Sequence, residues 1–185
     1  MAIEWTSSVV SVAGTDLHLR RGGKGSPIVV LHRDIGTPDN LAFYDLLASR
    51  HDVIVPNHPG YGISPRAEWL ANVRDVAALY RAALGSLGLG SAPLVGLGFG
   101  GWIAAEMATF APHNTPLLVL AGAMGIKPPA GDIFDQALVS YIEYVKEGGH
   151  DPATFGRIYG ERPKSEQLVL WDLCHSVGSV PGELD

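Results

Sequence analysis

The stretch "LVGLGFGGWIAA" (Leu94–Ala105) carries the strongest chemical signal in the chain. An apolar run enters a glycine-rich bend and leaves it as a helix-forming segment. Gly96, Gly98 and Gly101 satisfy G-x-G-x-x-G, the loop that brings backbone amides at a helix N-terminus close to a dinucleotide pyrophosphate. Gly96 and Gly100 also satisfy the outer positions of G-x-S-x-G, a strained strand-to-helix elbow that presents a nucleophilic serine. The serine position of that second pattern is Gly98. A dinucleotide site further needs an acidic residue at the end of the next strand, about twenty positions on, to hold a ribose. The corresponding stretch, "LLVLAGA", has none, and the glycines fall in the third strand–helix unit rather than the first. The elbow is the better-supported reading, and a dinucleotide-binding domain through Gly96, Gly98 and Gly101 is the weaker alternative.

The elements around this turn decide what it can meet. Two β-like segments open the chain, Ser8–Gly14 and Asp16–Arg21. Short runs rich in β-branched residues follow at "PIVVLH" (Pro27–His32) and "DVIVPN" (Asp52–Asn57), with "PLVGL" before the bend and "PLLVLAGA" (Pro116–Ala123) after it; they read as buried strands. Between them lie three helical patterns. "LAFYDLLASR" has Asp39 or Asn40 as its cap. "NVRDVAALYRAALGSLG" sets Val73, Val76, Ala77, Tyr80, Ala83, Leu84 and Leu87 on one face, and "WIAAEMATFA" leaves the elbow. Alternating strands and helices argue for a parallel sheet with helices on both faces. Ligands of such sheets sit beyond the carboxyl ends of the strands, here "HRDIG", "NHPGYGIS", "GLGFGG" and "AGAMGI". After "KPPAG" (Lys127–Gly131) the pattern turns helical, in "DIFDQALVSYIEYVKEGG", "DPATFGRIYG" and "KSEQLVLWDLC", and ends in a loose tail.

Three of these strand ends together resemble the α/β-hydrolase family. "LHRDIG" stands where the family's oxyanion loop, H-G-x-x-G, is expected, with Arg33 in place of its first glycine. "NHPGYGIS" is similar to D-x-P-G-x-G-x-S, matching at Pro59, Gly60, Gly62 and Ser64, with Asn57 for the acid. Gly101 and the alanines of the following helix suit its close packing on the sheet. The resemblance runs from about Ile3 to Ala123. It implies a three-layer α/β/α sandwich with a mostly parallel sheet over residues 1–126, followed by a helical lid segment and tail over 127–185.

The resemblance also implies what is missing. The family works with a serine nucleophile, a histidine base and an acid that orients the base. Gly98 has no side chain, no other G-x-S-x-G occurs, and the family takes its acid and histidine from strands beyond the lid, before which this chain ends. The expectation is a shortened member that lacks the C-terminal strands and triad catalysis. It keeps a pocket for a small apolar molecule at the strand ends, and is a hydrolase by resemblance only. The pocket candidates are His32, Arg33, Asp34, His58, Gly98, Phe99 and Met124. By resemblance, the backbone N–H groups of Asp34 and Phe99 are the oxyanion donors. An alternative is an atypical hydrolase of a small apolar ester, amide or lactone, with a water activated by Asp34 as base. The ordinary role of Asp34 is a loop or helix-capping residue.

The ordinary roles of His32 and His58 are structural, a hydrogen bond at the head of the loop and the shaping of a turn. His18, His51, His113, His150 and His175 have solvent-facing or loop roles. A metal held by His32, Asp34 and His58 matches no known spacing, so no metal or cofactor is expected.

The whole chain bounds the function classes. It has 185 residues, 46% hydrophobic and 17% charged, with a formal net charge of -6. That balance argues against a nucleic-acid or anionic-membrane surface. No apolar run is long enough to span a bilayer, and "MAIEWTSS" has no signal-peptide pattern. The lone Cys174 reads as a small buried thiol and fits a reducing, cytoplasmic setting. The strand "PLLVLAGA" is expected to form a long apolar edge of the sheet, open to self-association.

Overall fold

A computed structural model of the chain describes residues 3–37, 42–131 and 143–144. Among the described residues, six strands form one sheet: β1 (Trp5–Val12), β2 (Thr15–Gly22), β3 (Pro27–Leu31), β4 (Asp52–Pro56), β5 (Leu94–Leu97) and β6 (Leu118–Ala121). Three helices connect them, α1 (Ala42–Ala48), α2 (Val73–Ser86) and α3 (Phe99–Phe110), with one 3-10 turn at Pro112–Asn114. The strand order is β1-β2-β4-β3-β5-β6. The hairpin β1–β2 joins β4 antiparallel, and β4, β3, β5 and β6 run parallel.

The chain winds one way from β3 to β4 and the other way to β5. The carboxyl ends of β3 and β5 therefore adjoin at the point where winding reverses, which opens a crevice there. β3 lies at the heart of the sheet, with Val29, Val30 and Leu31 wholly buried. The two-residue alternation of the strands divides the core. Val29, Leu31, Ile54 and Leu94 face α2 and α3, whereas Val30, Val53, Val55 and Val95 face Tyr44 and Ala48 of α1. These are the three layers of an α/β/α sandwich.

Local chemistry holds the helices that frame the crevice. Asn72 and Asp75 form a reciprocal capping box at the start of α2. From that helix Arg81 reaches across to the last turn of α3, where its Nε and Nη2 donate to the Met107 carbonyl at 3.0 and 2.7 Å. Its Nη1 donates to the Gly90 carbonyl at 3.2 Å. The Met107 carbonyl also accepts the Ala111 N–H at 3.3 Å, and a cation there complements the negative end of the helix dipole.

Several boundaries differ from expectation. β1 begins at Trp5 rather than Ser8, because the indole covers the backbone of Gly22 and donates from Nε1 to Asp45 at 2.8 Å. β6 spans only Leu118–Ala121, so the apolar edge is short, not long. α3 starts at Phe99, directly after the elbow. The capping residues Asp39 and Asn40, Cys174, His150, His175 and all but Glu143 and Tyr144 of the expected lid helices lie outside the described residues.

Candidate active-site elbow

β5 leaves the sheet at Leu97 and α3 begins at Phe99, so one residue makes the turn. That residue, Gly98, has φ 53° and ψ -118°. A side chain in that conformation is strained, at a cost of about 1–3 kcal/mol. Backbone bonds stitch the turn to its neighbours. The Gly98 N–H donates to the Ala121 carbonyl at 3.0 Å, and the Gly98 carbonyl accepts from Gly101 at 2.9 Å and from Met124 at 3.0 Å. The Gly100 N–H donates to the His32 carbonyl at 3.0 Å. The ends of β3, β5 and β6 are thereby held around one point.

The surrounding glycines are required by close approach. A Cβ at Gly96 would lie 2.5 Å from Gly101 Cα, one at Gly100 would lie 2.5 Å from the His32 carbonyl oxygen, and one at Gly101 would lie 2.6 Å from Ala123 Cβ. These contacts are protein against protein. They account for Gly96 and Gly101 by helix–sheet packing, with no phosphate needed to explain them. Gly98 is different. A Cβ there would meet only side-chain atoms among its nearest neighbours, Asp34 Oδ1 at 3.2 Å and Arg33 Cγ and Cβ at 3.4 and 3.6 Å. The one glycine at the nucleophile position is also the one that backbone packing does not impose.

Above the turn, therefore, stand Arg33, half-buried, and Asp34, 5% exposed. Asp34 directs its carboxylate toward the elbow. Tyr144 comes to the same place. Its half-buried phenol is pushed well above the ordinary tyrosine range, first by burial, then by the charge of Asp34 and a hydrogen bond with it; Arg33 acts in the opposite sense. Phe99 is the first residue of α3, where the N–H points out of the helix end, and Met124 is half-buried beside Gly98.

Below the turn, His32 and His58 are fully buried, their rings 3.8 Å apart. Their hydrogen bonds fix both tautomers. His32 Nδ1 donates to the Arg33 carbonyl at 2.6 Å, which leaves Nε2 to accept the His58 backbone N–H at 3.0 Å. His58 Nε2 donates to the His32 carbonyl at 2.9 Å, and Nδ1 accepts from the Tyr80 hydroxyl at 2.7 Å. Both rings are neutral. Burial lowers the His32 pKa to about 4, against the opposing pull of the Arg33 carbonyl. Burial and then the neighbouring His32 lower that of His58 well below its ordinary value. Burial likewise raises Tyr80 well above its own. With all four ring nitrogens committed, neither histidine has a lone pair for a metal or a substrate proton. Among the described residues no group of three His, Cys, Asp or Glu side chains gathers where a metal could bind.

Of the seven residues expected at the pocket, the structure thus brings five to the elbow: Arg33, Asp34, Gly98, Phe99 and Met124. It places His32 and His58 behind it, as support. Ser64, the serine of the "NHPGYGIS" motif, is buried and accepts the His18 N–H at 3.0 Å, tying that loop to β2. Three tyrosines complete the surroundings without having been expected there. Tyr80 carries the only signal, a place on the buried stripe of α2. Tyr61 packs its ring 5.2 Å from His32 and 5.6 Å from His58, and Tyr144 arrives from a distant segment.

The family model for the alpha/beta hydrolase fold matches residues 30–146. The polyketide synthase ThaQ of Burkholderia thailandensis is 36% identical over 124 residues, 65% of this chain and 6% of that protein. The 2-hydroxymuconate semialdehyde hydrolase of Pseudomonas sp. strain CF600 is 31% identical over 131 residues, 68% of this chain and 46% of the enzyme. Among solved structures, a probable hydrolytic enzyme from Pseudomonas aeruginosa PAO1 superposes with a TM-score of 0.65 at 20% identity, covering 95% of this chain and 66% of that one. The chain spans less than half the length of the curated relatives it matches.

Proposed function

The chain belongs to the α/β-hydrolase fold family, and from that premise we propose that its elbow binds a small molecule without forming an acyl-enzyme. The observation that carries this reading is Gly98. It holds the backbone geometry of a nucleophile elbow, yet offers no atom to attack a carbonyl. The helix N-terminus at Phe99, the polar pair Arg33 and Asp34 and the side chain of Met124 supply a mixed apolar and polar lining at the strand ends, where ligands of such sheets sit. The hydrolase name of the relative at 31% identity supports a small organic ligand of the kind hydrolases hold. Incubation of the chain with a fluorophosphonate, followed by intact-mass and peptide mass spectrometry, tests the reading. The expected result is unmodified protein; stoichiometric modification of any serine would overturn it.

One distance favours a second reading, hydrolysis by a water that Asp34 activates. Asp34 Oδ1 lies 3.2 Å from where a Cβ at position 98 would stand, so a water in that space is within hydrogen-bonding reach of the carboxylate. In this scheme the water gives its proton to Asp34 as its oxygen attacks the carbonyl carbon of an ester, amide or lactone. The carbonyl oxygen becomes an oxyanion facing the Phe99 N–H. Collapse breaks the bond to the leaving group, which takes the proton back from Asp34. General-base help of this kind is worth roughly 10²–10⁴-fold. Turnover of a short lactone or ester by the chain that falls by that order in Asp34→Asn, with the folded spectrum retained, would support this route. Turnover unchanged in Asp34→Asn would exclude it.

A further inference from the structure

We propose that Asp34 selects the ligand of the elbow, favouring a small secondary amide, which carries a carbonyl beside an N–H, over a ketone or ester of the same shape. This selection presupposes the first reading above, that the elbow binds a small molecule, and it makes Asp34 a hydrogen-bond acceptor rather than a base. Asp34 lies just past the end of β3 and is only 5% exposed. Its Oδ1 comes within 3.2 Å of the position that a Cβ at Gly98 would take. The other near atoms there are Cγ and Cβ of Arg33, at 3.4 and 3.6 Å. A molecule seated against the Gly98 backbone on that side therefore has a carboxylate as its nearest polar neighbour.

The chemistry of that oxygen limits what it can meet. A carboxylate accepts hydrogen bonds and donates none. A ketone, an ester oxygen or a second carboxylate turned toward it sets lone pairs against lone pairs, where little water screens them. An N–H turned toward it makes a charge-assisted hydrogen bond. A ligand ammonium would meet Asp34 well, but it would also meet the like charge of Arg33, whose stem borders the same position. A neutral donor avoids both penalties. The Tyr144 phenol, which hydrogen-bonds Asp34, does not exhaust it, because a carboxylate offers about four lone-pair sites. The matching donor is the Phe99 N–H, at the first residue of α3. Acceptor and donor thus reach the elbow from two strand ends, those of β3 and β5, and a secondary amide carries the complement of each on adjacent atoms. Met124, half-buried beside Gly98, offers apolar surface to its acyl chain.

Nitrogen–proton correlation spectra of the isotope-labelled 185-residue chain, titrated with N-methylhexanamide and with ethyl pentyl ketone, test this. The two probes share one shape, and a methylene of the ketone replaces the N–H of the amide. The amide should shift the Gly98 and Phe99 signals saturably, and the ketone should need at least about tenfold more for the same shift. That comparison needs no variant. In folded Asp34→Leu, which removes the acceptor, the preference for the amide should vanish. A ketone that binds as tightly as the amide, or a preference that survives in folded Asp34→Leu, would overturn the selection by Asp34 and leave binding at the elbow standing. No saturable shift of Gly98 or Phe99 with either probe would overturn both.

Discussion

The two sides of the elbow differ in kind. Beneath it, His32, His58 and Tyr80 form a closed layer in which each ring nitrogen and the tyrosine hydroxyl has a defined partner. Above it, the atoms nearest to a Cβ at Gly98 would be side-chain atoms of Asp34 and Arg33, at 3.2 to 3.6 Å. The lower layer holds the turn in shape, and the upper layer borders the position where we propose that a ligand binds. The parts of this fold that create geometry are present together, and the atom that the geometry serves to present is not. Positioning and chemistry are thus separable in this architecture, and each can be perturbed without the other.

The largest contrast is expected between two alanine substitutions two residues apart. Gly100→Ala drives a Cβ to 2.5 Å from the His32 carbonyl oxygen, and the obstruction is backbone that cannot swing away. A loss of more than about 3 kcal/mol, or failure to fold, is expected in denaturant unfolding. Gly98→Ala meets Asp34 Oδ1 at 3.2 Å and carries the strain of a positive φ. It should cost only about 1–2 kcal/mol and leave a folded protein. Equal losses would erase the distinction between glycines hemmed in by backbone and the one met by side chains.

Acid should act on the lower layer. The His32 pKa falls from its ordinary 6.5 to about 4 on folding, so between those values the unfolded chain binds a proton that the folded chain does not. Stability therefore rises with pH across that window. The contribution is complete above about 6.5 and is lost as pH falls toward 4, by up to roughly 3 kcal/mol. His58, lowered in the same direction, steepens the loss. Denaturant midpoints measured from pH 4 to 7 should show this slope, and replacing His32 with Gln should flatten it.

Tyr80→Phe is a smaller perturbation of the same layer. It removes the donor to His58 Nδ1 without changing the packed volume, and leaves a buried acceptor unsatisfied, at a cost of about 1–3 kcal/mol. A neutral outcome in thermal or denaturant unfolding would mean that the hydrogen bond does not hold the His58 ring in place.

Much of this arrangement is legible in the residues. Short β-branched runs separated by helical patterns specify the strands and their parallel winding, and the spacing of Gly96, Gly100 and Gly101 marks where α3 presses on β3, β5 and β6. His32 and His58 read as structural because each begins or follows a turn at a strand end. What could not be read is side-chain direction. Nothing in "HRDIG" says that Asp34 turns toward the elbow, since a carboxylate in a loop has many ways to be satisfied. Tyr144 is separated from Asp34 by more than half the chain, so its approach depends on tertiary structure alone. The early start of β1 has the same origin, because Trp5 is ordered by Gly22 and Asp45, which are distant in sequence.

Restoring the missing atom tests the account most directly. Gly98→Ser places a hydroxyl in the elbow, beside a carboxylate and, among the described residues, without a free imidazole there, because the nitrogens of His32 and His58 are already engaged below. A carboxylate is a far weaker base than an imidazole, so the serine keeps its proton and remains a poor nucleophile. Stopped-flow measurement of folded Gly98→Ser with a p-nitrophenyl ester should show no burst of nitrophenolate, and quenched samples should carry no acyl group. A burst approaching one equivalent, with the acyl group mapped to the introduced serine, would show that the elbow still commands a base and would contradict the separation of geometry from chemistry.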